Sequence, residues 1–350
     1  MRMMRAMGCR PGSRPCALLR VLSFALLVGT AASLLPSQAA AQYGPQPQRQ
    51  LYYQNTTVAR LNPLGLINRF NLQYRYRLFR SNSIFLRDNF VGAGMYSQIS
   101  PAFVRFGPRV ELKPVPFVIL AASYEAIGYL GNFDFVNSYA NPAENYSDSN
   151  QDRIGNSGLN YGTFGHELNL ELTLQIAAGP VAIRNVTRVG RPDFELENGD
   201  RFFYDPVYDI LQQDEGWYLE NNLDVLYLHA DKWTVGARYT LVTPFYDDAP
   251  RGNNGPFDRI GPVLAYTFFK KYKDSFNGPS IILLMQWWTR HRWRTGDAMG
   301  CTQGVISGDG CASTDPLVPS NGRLVTDGVS QAFPYIIIGF DFRGDLLPNP

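Results

Sequence analysis

The sequence predicts an all-β fold, a transmembrane antiparallel up-and-down β-barrel of about twelve strands. Three observations predict it. The chain begins with an export signal, its strand segments are long and alternate between polar and apolar residues, and the connections between them alternate between short and long.

The N-terminal segment 1–41 has the three parts of a secretory signal. A basic start precedes an uncharged apolar stretch at 21–35, and the run Ala39 to Ala41 supplies small residues for cleavage. A membrane anchor is the alternative, but the apolar stretch of about fifteen residues is shorter than the ~20 that a spanning helix needs. The pattern favours a cleaved signal, and therefore an exported protein.

Removal of the signal changes the charge balance. The segment 1–41 contains five arginines and no acidic residue, so 27 basic and 30 acidic residues remain and the formal charge falls from +2 to −3. The excess of positive charge belongs to the signal, which removes the main electrostatic argument for a nucleic acid partner.

The remaining chain is expected to form one domain, because no linker or compositional break divides it. Segment 42–50, with Gly44, Pro45 and Pro47, is typical of a flexible leader. Residues 51–343 are expected to form the barrel, and 344–350 a C-terminal extension.

Period-two alternation is the strongest signal for strands. In the segment 66–78, leucine and aromatic residues occupy nearly every even position, whereas Arg69, Asn71, Gln73 and Arg75 occupy odd ones. The segment 167–176 repeats the pattern, with leucines alternating against glutamate and amide residues. A soluble β-sandwich also alternates, with its leucines buried inside, so alternation alone does not separate the two folds.

Three features favour the membrane barrel. The alternating segments span about 11 to 16 residues, whereas strands of soluble proteins are most often about five or six. Aromatic residues such as Trp217, Trp233 and Trp287 gather near strand ends, as in interfacial girdles. Short turns at 113–116, 178–180 and 229–232 alternate with long polar loops near 132–159, 193–215, 246–256 and 295–330, which is typical of short periplasmic turns and long outer loops.

Strands placed between these turns number twelve, although the first is weakly patterned and ten strands remain an alternative. The expected spans are 51–61, 66–79, 84–94, 101–113, 116–131, 161–177, 181–192, 216–230, 232–245, 258–270, 280–293 and 332–343.

The architecture and the final strand Tyr335 to Phe342 resemble the outer-membrane β-barrel proteins of Gram-negative bacteria, as a class. The resemblance covers the mature region. It implies an outer-membrane location, contact with lipid, and the periplasmic chaperones and insertion machinery that recognise a terminal aromatic residue. Eight further residues follow Phe342, which departs from that signal. The resemblance indicates no narrower family and leaves the oligomeric state open.

Strand parity predicts which charged residues face the lumen. These are Arg69, Arg75, Arg77, Arg105, Arg109, Glu167, Glu171, Arg184, Arg188, Glu220, Asp224 and Arg238. One interpretation is a transverse field across a passive or weakly selective pore for small polar solutes. The other is cross-strand salt bridging, with Arg184 and Arg188 neutralising Glu167 and Glu171 in a narrow, non-conducting structural barrel.

The two cysteines of the mature chain, Cys301 and Cys311, lie in a loop rich in Gly, Ser, Thr and Asp. Because exported proteins meet oxidising conditions, a disulfide between them is expected. A zinc pair is the alternative, but no further Cys, and no His closer than His291, is available to complete a tetrahedral site.

An enzyme is not expected, and neither a cofactor nor a metal is. The chain has three histidines, and only Thr289 with His291 offers a hydroxyl near an imidazole, which is a weak signal. Asp247 and Asp248 at the outer rim are more typical of solvated loop charge than of a protease site. The segment 148–152 begins like a calcium loop, but Arg153 and Leu159 stand where an EF-hand needs glycine and glutamate.

Aromatic residues in the long loops suggest a third class of function, a surface receptor or adhesin. They are Tyr139, Tyr146, Phe202, Phe203 and Tyr204. Exposed aromatic side chains often carry contacts to partners. Packing of the loops over the pore mouth explains the same residues.

Overall fold

The computed structural model describes residues 47–81, 83, 86, 88–132, 136–142, 144–247, 254–270, 275–295 and 333–347. The predicted signal segment, the cysteine pair Cys301 and Cys311, and Asp248 lie outside these ranges.

Twelve strands form the barrel. They are β1 (Arg49–Leu61), β2 (Gly65–Tyr76), β3 (Phe90–Ile99), β4 (Phe103–Val115), β5 (Val118–Tyr129), β7 (Thr163–Ala178), β8 (Val181–Phe194), β11 (Trp217–His229), β12 (Trp233–Phe245), β13 (Phe257–Thr267), β14 (Asn277–Arg290) and β15 (Tyr335–Asp345). Three short strands, one α-helix and one 3-10 helix (Glu197–Gly199) belong to the described parts of the loops; the others are β6 (Ser138–Tyr139), β9 (Phe202–Asp205), β10 (Ile210–Gln213) and α1 (Asp148–Asn156).

The sheet closes because the first strand pairs with the last. Antiparallel pairing of β1 with β15 runs from Tyr52 opposite Asp345 to Leu61 opposite Ile336. Each other barrel strand pairs with its neighbours in the order β1, β15, β14, β13, β12, β11, β8, β7, β5, β4, β3, β2. The predicted fold class, a closed antiparallel barrel of twelve strands, is confirmed.

The two ends of the barrel differ. Both chain ends of the barrel and the connections at 116–117, 179–180 and 230–232 lie at one end, with the longer connections 77–89 and 268–276. The opposite end, called the outer end below, carries the loops 130–162, 195–216, 246–256 and 291–334. Between β1 and β4, however, the outer end has only the short links 62–64 and 100–102. The long loops therefore occupy the outer rim over the eight strands from β5 to β15, and the rim over the four strands β1 to β4 has only short links.

The third strand was predicted in the wrong place. The expected span was 84–94, whereas β3 begins at Phe90 and β2 already ends at Tyr76. The Asn89 side chain explains the difference, because its Oδ1 accepts from the Phe79 N–H at 3.0 Å and its Nδ2 donates to the Phe79 carbonyl at 3.0 Å. These bonds hold Asn89 against Phe79, so the Asn89 side chain takes the backbone partners that a ladder would use there.

The limits of the barrel also differ slightly from the expected 51–343. Strand β1 begins at Arg49, inside the predicted leader, and β15 continues to Asp345, inside the predicted extension. Asp345 is held there because its Oδ1 accepts from the Leu51 N–H at 3.0 Å.

The outward face of the strands is apolar. Leu170, Val225, Ile281 and Ile338, for example, are 45%, 48%, 46% and 54% exposed. By alternation, the charged outward positions of the described strands fall near strand ends, at Arg49, Arg191, Asp193 and Asp258. Large apolar side chains exposed over a whole surface are rare in water-soluble proteins.

The few polar side chains on the outward face near mid-strand hydrogen-bond to one another. Asn185 and Asn221 exchange amide bonds of 3.0 Å, and Asn221 also donates to Thr187 at 2.7 Å. Within the described residues, no helix is long and apolar enough to span a membrane.

Candidate functional site

The barrel encloses a polar cavity of about 240 Å³, called the lumen chamber here. It lies on the side of the barrel formed by β1 to β8. The lining residues are Gln54, Thr56, Arg69, Asn71, Tyr96, Gln98, Arg105, Arg109, Ser123, Glu125, Glu167, Asn169, Glu171, Arg184, Arg188, Val207 and Tyr208. All but the last two come from barrel strands, at the inward positions that strand alternation sets.

Most of the charges on the chamber wall form ion pairs. Arg105 reaches past β5 to Glu167 on β7 at 3.0 Å, and Arg109 reaches Glu171 at 3.1 Å. Glu171 also binds Arg188 at 2.9 Å. Arg188 continues to Glu220 at 3.4 Å, and beyond it Asp224 binds Arg238 at 2.7 Å. The separated positive and negative walls of the transverse-field interpretation are therefore drawn together into pairs.

Two arginines of the chamber are exceptions. Arg69 and Arg184 make no ion pair or hydrogen bond with any residue that the structure describes. Asp224 stands opposite Arg184 in the β8–β11 register, but it already accepts two bonds from Arg238, at 2.7 and 2.9 Å. On its other side Arg184 faces Gln175, not the expected Glu167 or Glu171.

The remaining predicted lumen residues lie outside the chamber. Arg75 lies near the end opposite the loops, over the rings of Tyr52 and Phe90, and 3.5 Å from Glu111. Arg77 follows the last residue of β2 and donates to the Phe79 carbonyl at 3.2 Å, so it belongs to a connection and not to the wall.

The roof of the chamber is a loop structure that the strand pattern of the sequence does not predict. Strands β9 and β10 pair antiparallel and form a hairpin over residues 202–213, called the lumen hairpin here. Every residue of this hairpin is buried except Val207, which is partly buried. Val207 and Tyr208, in its turn, line the chamber. The hairpin separates the chamber from the outer loops.

The lumen hairpin crosses the full width of the barrel. It leaves the rim between β8 and β11, and β8 lies six strands from β1 in either direction around the ring. At the far side, Arg60 of β1 donates to the carbonyl oxygens of Pro206 at 2.6 Å and Val207 at 3.0 Å. A third bond, to the Pro63 carbonyl at 3.1 Å, orients the guanidinium.

Below the turn, polar side chains connect the hairpin to the chamber wall. Tyr208 accepts from Arg188 at 3.1 Å, and Tyr218 donates to Glu167 at 2.6 Å while lying 3.2 Å from the Tyr208 hydroxyl. Gly190 is needed for this arrangement, because a Cβ there would lie 2.3 Å from the Tyr218 ring. The tyrosine can therefore lie flat against the β8 wall.

Asp205 anchors the turn from within. It accepts the Val207 N–H at 2.7 Å and the Gln212 side-chain amide at 2.8 Å, and Arg105 lies 3.8 Å away. Burial raises the pKa of Asp205 from 3.8 to about 6, although Arg105 acts in the opposite direction.

Apolar packing holds the hairpin on three sides. Phe203 packs with Phe103, Ile127 and Phe194 of the wall, and Tyr208 and Ile210 pack with Val242 and Phe257. On the outer side lies the cap cluster, formed by Tyr139, Tyr146, Phe202, Tyr204, Leu211 and Trp293. The hairpin is packed like a core element.

The cap cluster corrects one interpretation from the sequence. Tyr139, Tyr146, Phe202, Phe203 and Tyr204 were considered as exposed contact residues, but each is at most 6% exposed. The alternative, packing of the loops over the mouth, is confirmed. The reason is that β6 pairs with β9 and joins the 130–162 loop to the hairpin.

A buried ionic group fastens the cap to the hairpin. Arg294 donates to Asp209 at 2.7 Å and also binds Asp148 at the start of α1. Burial alone would raise the pKa of the Asp209 carboxyl, but the Arg294 guanidinium holds it below its usual range. The segment considered as a calcium loop is thus helical, and its first carboxylate faces an arginine.

His291 is part of the same group. Its Nε2 donates to the Asp209 carbonyl at 2.9 Å, and its Nδ1 accepts the Trp293 N–H at 3.1 Å. Because His291 is fully buried, its pKa falls to about 4. Thr289 donates elsewhere, to the Asp258 carbonyl at 3.1 Å, so the two do not form a hydroxyl–imidazole pair.

The other residues of catalytic or metal-binding type make ordinary packing or hydrogen-bond contacts. His166 faces outward, stacked 5.5 Å from the Tyr124 ring. Asp247 pairs with the Gln213 side chain through its N–H at 2.9 Å. In the part of the chain that the structure describes, no three metal-type side chains are grouped as a metal site would require.

No family model matches the chain, and no curated protein matches it. Among solved structures, the CymD monoaromatic hydrocarbon channel is 9% identical, over 87% of this chain and 90% of that one, with a TM-score of 0.35. OmpF of Salmonella typhi is 8% identical over 84% and 97%, with a TM-score of 0.30. OprD of Pseudomonas aeruginosa is 8% identical over 89% and 96%, with a TM-score of 0.26. Superpositions this loose assign neither a ligand nor a role to this chain.

Proposed function

We propose that this chain is an outer-membrane barrel that passes small polar solutes, and that the lumen hairpin closes its outer end. The observation that carries the proposal is the pairing of two surfaces: an apolar outward face, and a charged, cavity-containing interior. Leu170 and Glu171 illustrate it, since the leucine is 45% exposed outside and the adjacent glutamate lines the chamber. Lipid outside and water inside match this pattern.

The orientation follows from the connections. In barrels of this type the short turns and the chain termini face the periplasm, and the long loops face outward. Aromatic outward side chains such as Tyr227 and Trp233 lie near one end, and Trp217 and Trp287 near the other. Two such belts are expected where a barrel meets the two membrane interfaces.

A non-conducting barrel is the second candidate, and the docked hairpin favours it. A segment that is buried in three apolar clusters and fixed by Arg60 and Arg294 resembles a permanent plug. Passage through this barrel would require the hairpin to leave its position. The two candidates differ in whether it does so.

Conductance of the refolded protein in planar bilayers separates them. The wild type is compared with a variant in which 203–212 are replaced by two glycines, and heat-modifiable gel migration shows that both have folded. We expect rare or small steps from the wild type and frequent, larger steps from the shortened variant. A folded variant that stays silent across a range of salts would rule out the pore and favour the non-conducting barrel.

A further inference from the structure

We propose that the lumen chamber binds a small hydrophilic oxyanion, a carboxylate or a phosphate ester, between Arg69 and Arg184. As a binding site, this depends only on the chamber. As a solute site, it rests on the proposed function.

Arg69 has no charged neighbour in the strand register. Its neighbours in the strand register, Thr56 on β1 and Gln98 on β3, are neutral. Its Nε is buried and has no hydrogen-bond partner among the residues that the structure describes. A buried donor without an acceptor is unfavourable, and it becomes satisfied when an acceptor enters.

Arg184 is the second arginine of the proposed site. It is exposed within the barrel, and the one carboxylate in register with it, Asp224, is occupied by Arg238. Its guanidinium therefore stays available to a solute. The planar fork of an arginine suits carboxylate and phosphate oxygens equally.

The two arginines lie on opposite walls of one cavity, because β2 and β8 are five strands apart in a ring of twelve. Between them the lining supplies neutral amides and hydroxyls, from Gln54, Thr56, Asn71, Gln98 and Asn169. An anion held between the walls would meet a charge at each side and hydrogen-bonding groups along its length. A hydroxylated carboxylate uses both kinds of contact.

The carboxylates of the lining offset this preference only in part, because arginines outnumber them. The chamber is lined by five arginines and three glutamates. Glu167 and Glu171 are bound by Arg105, Arg109 and Arg188. Glu125 is 4% exposed and accepts from Ser123 at 2.6 Å and Asn169 at 3.4 Å.

Calorimetry on the refolded full barrel in non-ionic detergent tests the proposal with matched probes. Gluconate and sorbitol have similar size and hydroxyl content, but only gluconate carries a charge. We expect gluconate, and also inorganic phosphate, to bind the wild type at least about tenfold more tightly than sorbitol binds, since charge-assisted bonds are the stronger ones.

Substitutions then locate the site. The double variant Arg69→Gln, Arg184→Gln should weaken gluconate binding by about tenfold or more, since it removes both free guanidiniums. Arg80→Gln is the control for the substitution itself, because it replaces an arginine with glutamine on an exposed connection at the far end of the barrel. Gel migration and dichroism verify that all three proteins fold.

The proposed site is wrong if the wild type prefers sorbitol or binds neither probe. It is also wrong if the folded double variant binds gluconate as tightly as the wild type does. Binding is read without transport, so the two proposals can fail separately. A barrel that binds gluconate but never conducts contradicts the pore alone. A barrel that conducts but shows no loss of binding in the double variant contradicts the anion site alone.

Discussion

Arg60, near the outer end of β1, donates a 2.6 Å hydrogen bond to the carbonyl oxygen of Pro206, a residue whose loop begins on the opposite wall of the barrel. The bond joins the first strand of the chain to the turn of the lumen hairpin. It fixes the position of the chamber roof at the point farthest from its attachment.

Arg60→Ala should loosen the roof. The change leaves the Pro206 and Val207 carbonyls without their charged donor, at a cost of roughly 2–4 kcal/mol for two such bonds. Hydrogen exchange of peptides covering 202–213 should speed up at least about tenfold, while barrel strands stay protected. Arg80→Ala serves as control. Unchanged exchange in the Arg60 variant would mean that apolar packing alone holds the hairpin.

Arg294→Met alone should destabilise the cap more than the double change Arg294→Met, Asp209→Asn does. The single change leaves Asp209 buried and ionised without its arginine, a situation that typically costs about 3–5 kcal/mol. Asp209→Asn combined with Arg294→Met removes the stranded charge. A double-mutant cycle on the exchange rates of 202–213 measures this, and a double variant that exchanges faster than Arg294→Met would contradict it.

Asp205 should make docking of the hairpin pH-dependent. Its pKa is raised in the docked state, from 3.8 to about 6, so docking takes up a proton. The docked state therefore loses stability as pH rises from about 4 to 6, by up to roughly 3 kcal/mol from this group.

Comparison with Asp205→Asn isolates this effect. His291, whose pKa is lowered to about 4, acts in the opposite direction, because docking is weakened as pH falls from 6.5. That contribution is shared by both proteins and cancels in their difference. The hairpin of the variant should gain stability over wild type as pH rises from 4 to 7, measured by hydrogen exchange corrected for intrinsic rates. A constant difference across this range would refute the assignment.

Glu171→Gln should make the chamber more selective for anions. Glu171 binds both Arg109 and Arg188, so its neutralisation leaves Arg109 without its carboxylate partner and Arg188 with Glu220 alone. In a potassium chloride gradient, Glu171→Gln should move the reversal potential of the hairpin-shortened channel toward the equilibrium potential of chloride. Glu215→Gln, which breaks the rim pair with Arg191, should not shift it.

Leu170→Arg should impair folding into lipid vesicles. Leu170 lies near mid-strand on the outward face, where an arginine costs about 2–4 kcal/mol at the membrane midplane. Leu159→Arg, in the outer loop and 65% exposed, is the matched control and should fold normally. Equal unfolding curves for the two variants would contradict the lipid-facing assignment.

The sequence contained the barrel because alternation is local. In the segment 168–176, alternation assigns each residue to one of the two faces of a single strand. Turn residues such as Gly179 and Pro180 mark where that strand ends. Inward parity placed Arg105, Glu167 and Arg188 on the lumen side for the same reason. Some ion pairs could be predicted from the sequence as well, since Arg188 and Glu171 are directly opposed in adjacent strands.

The lumen hairpin could not be predicted from local alternation. Phe202 to Gln213 form two strands of four residues each, too short to show alternation clearly. Their burial depends on Arg60 and Arg294, which are more than eighty positions away along the sequence. One signal was present: a loop dense in aromatic residues needs packing partners, and it was the pore-mouth interpretation that anticipated them.

The bond between Arg60 and the hairpin also depends on closure of the ring. Until β1 pairs with β15, the sheet is open and β1 has no fixed place opposite β8. A contact made by the middle of the chain therefore requires that its two ends have met.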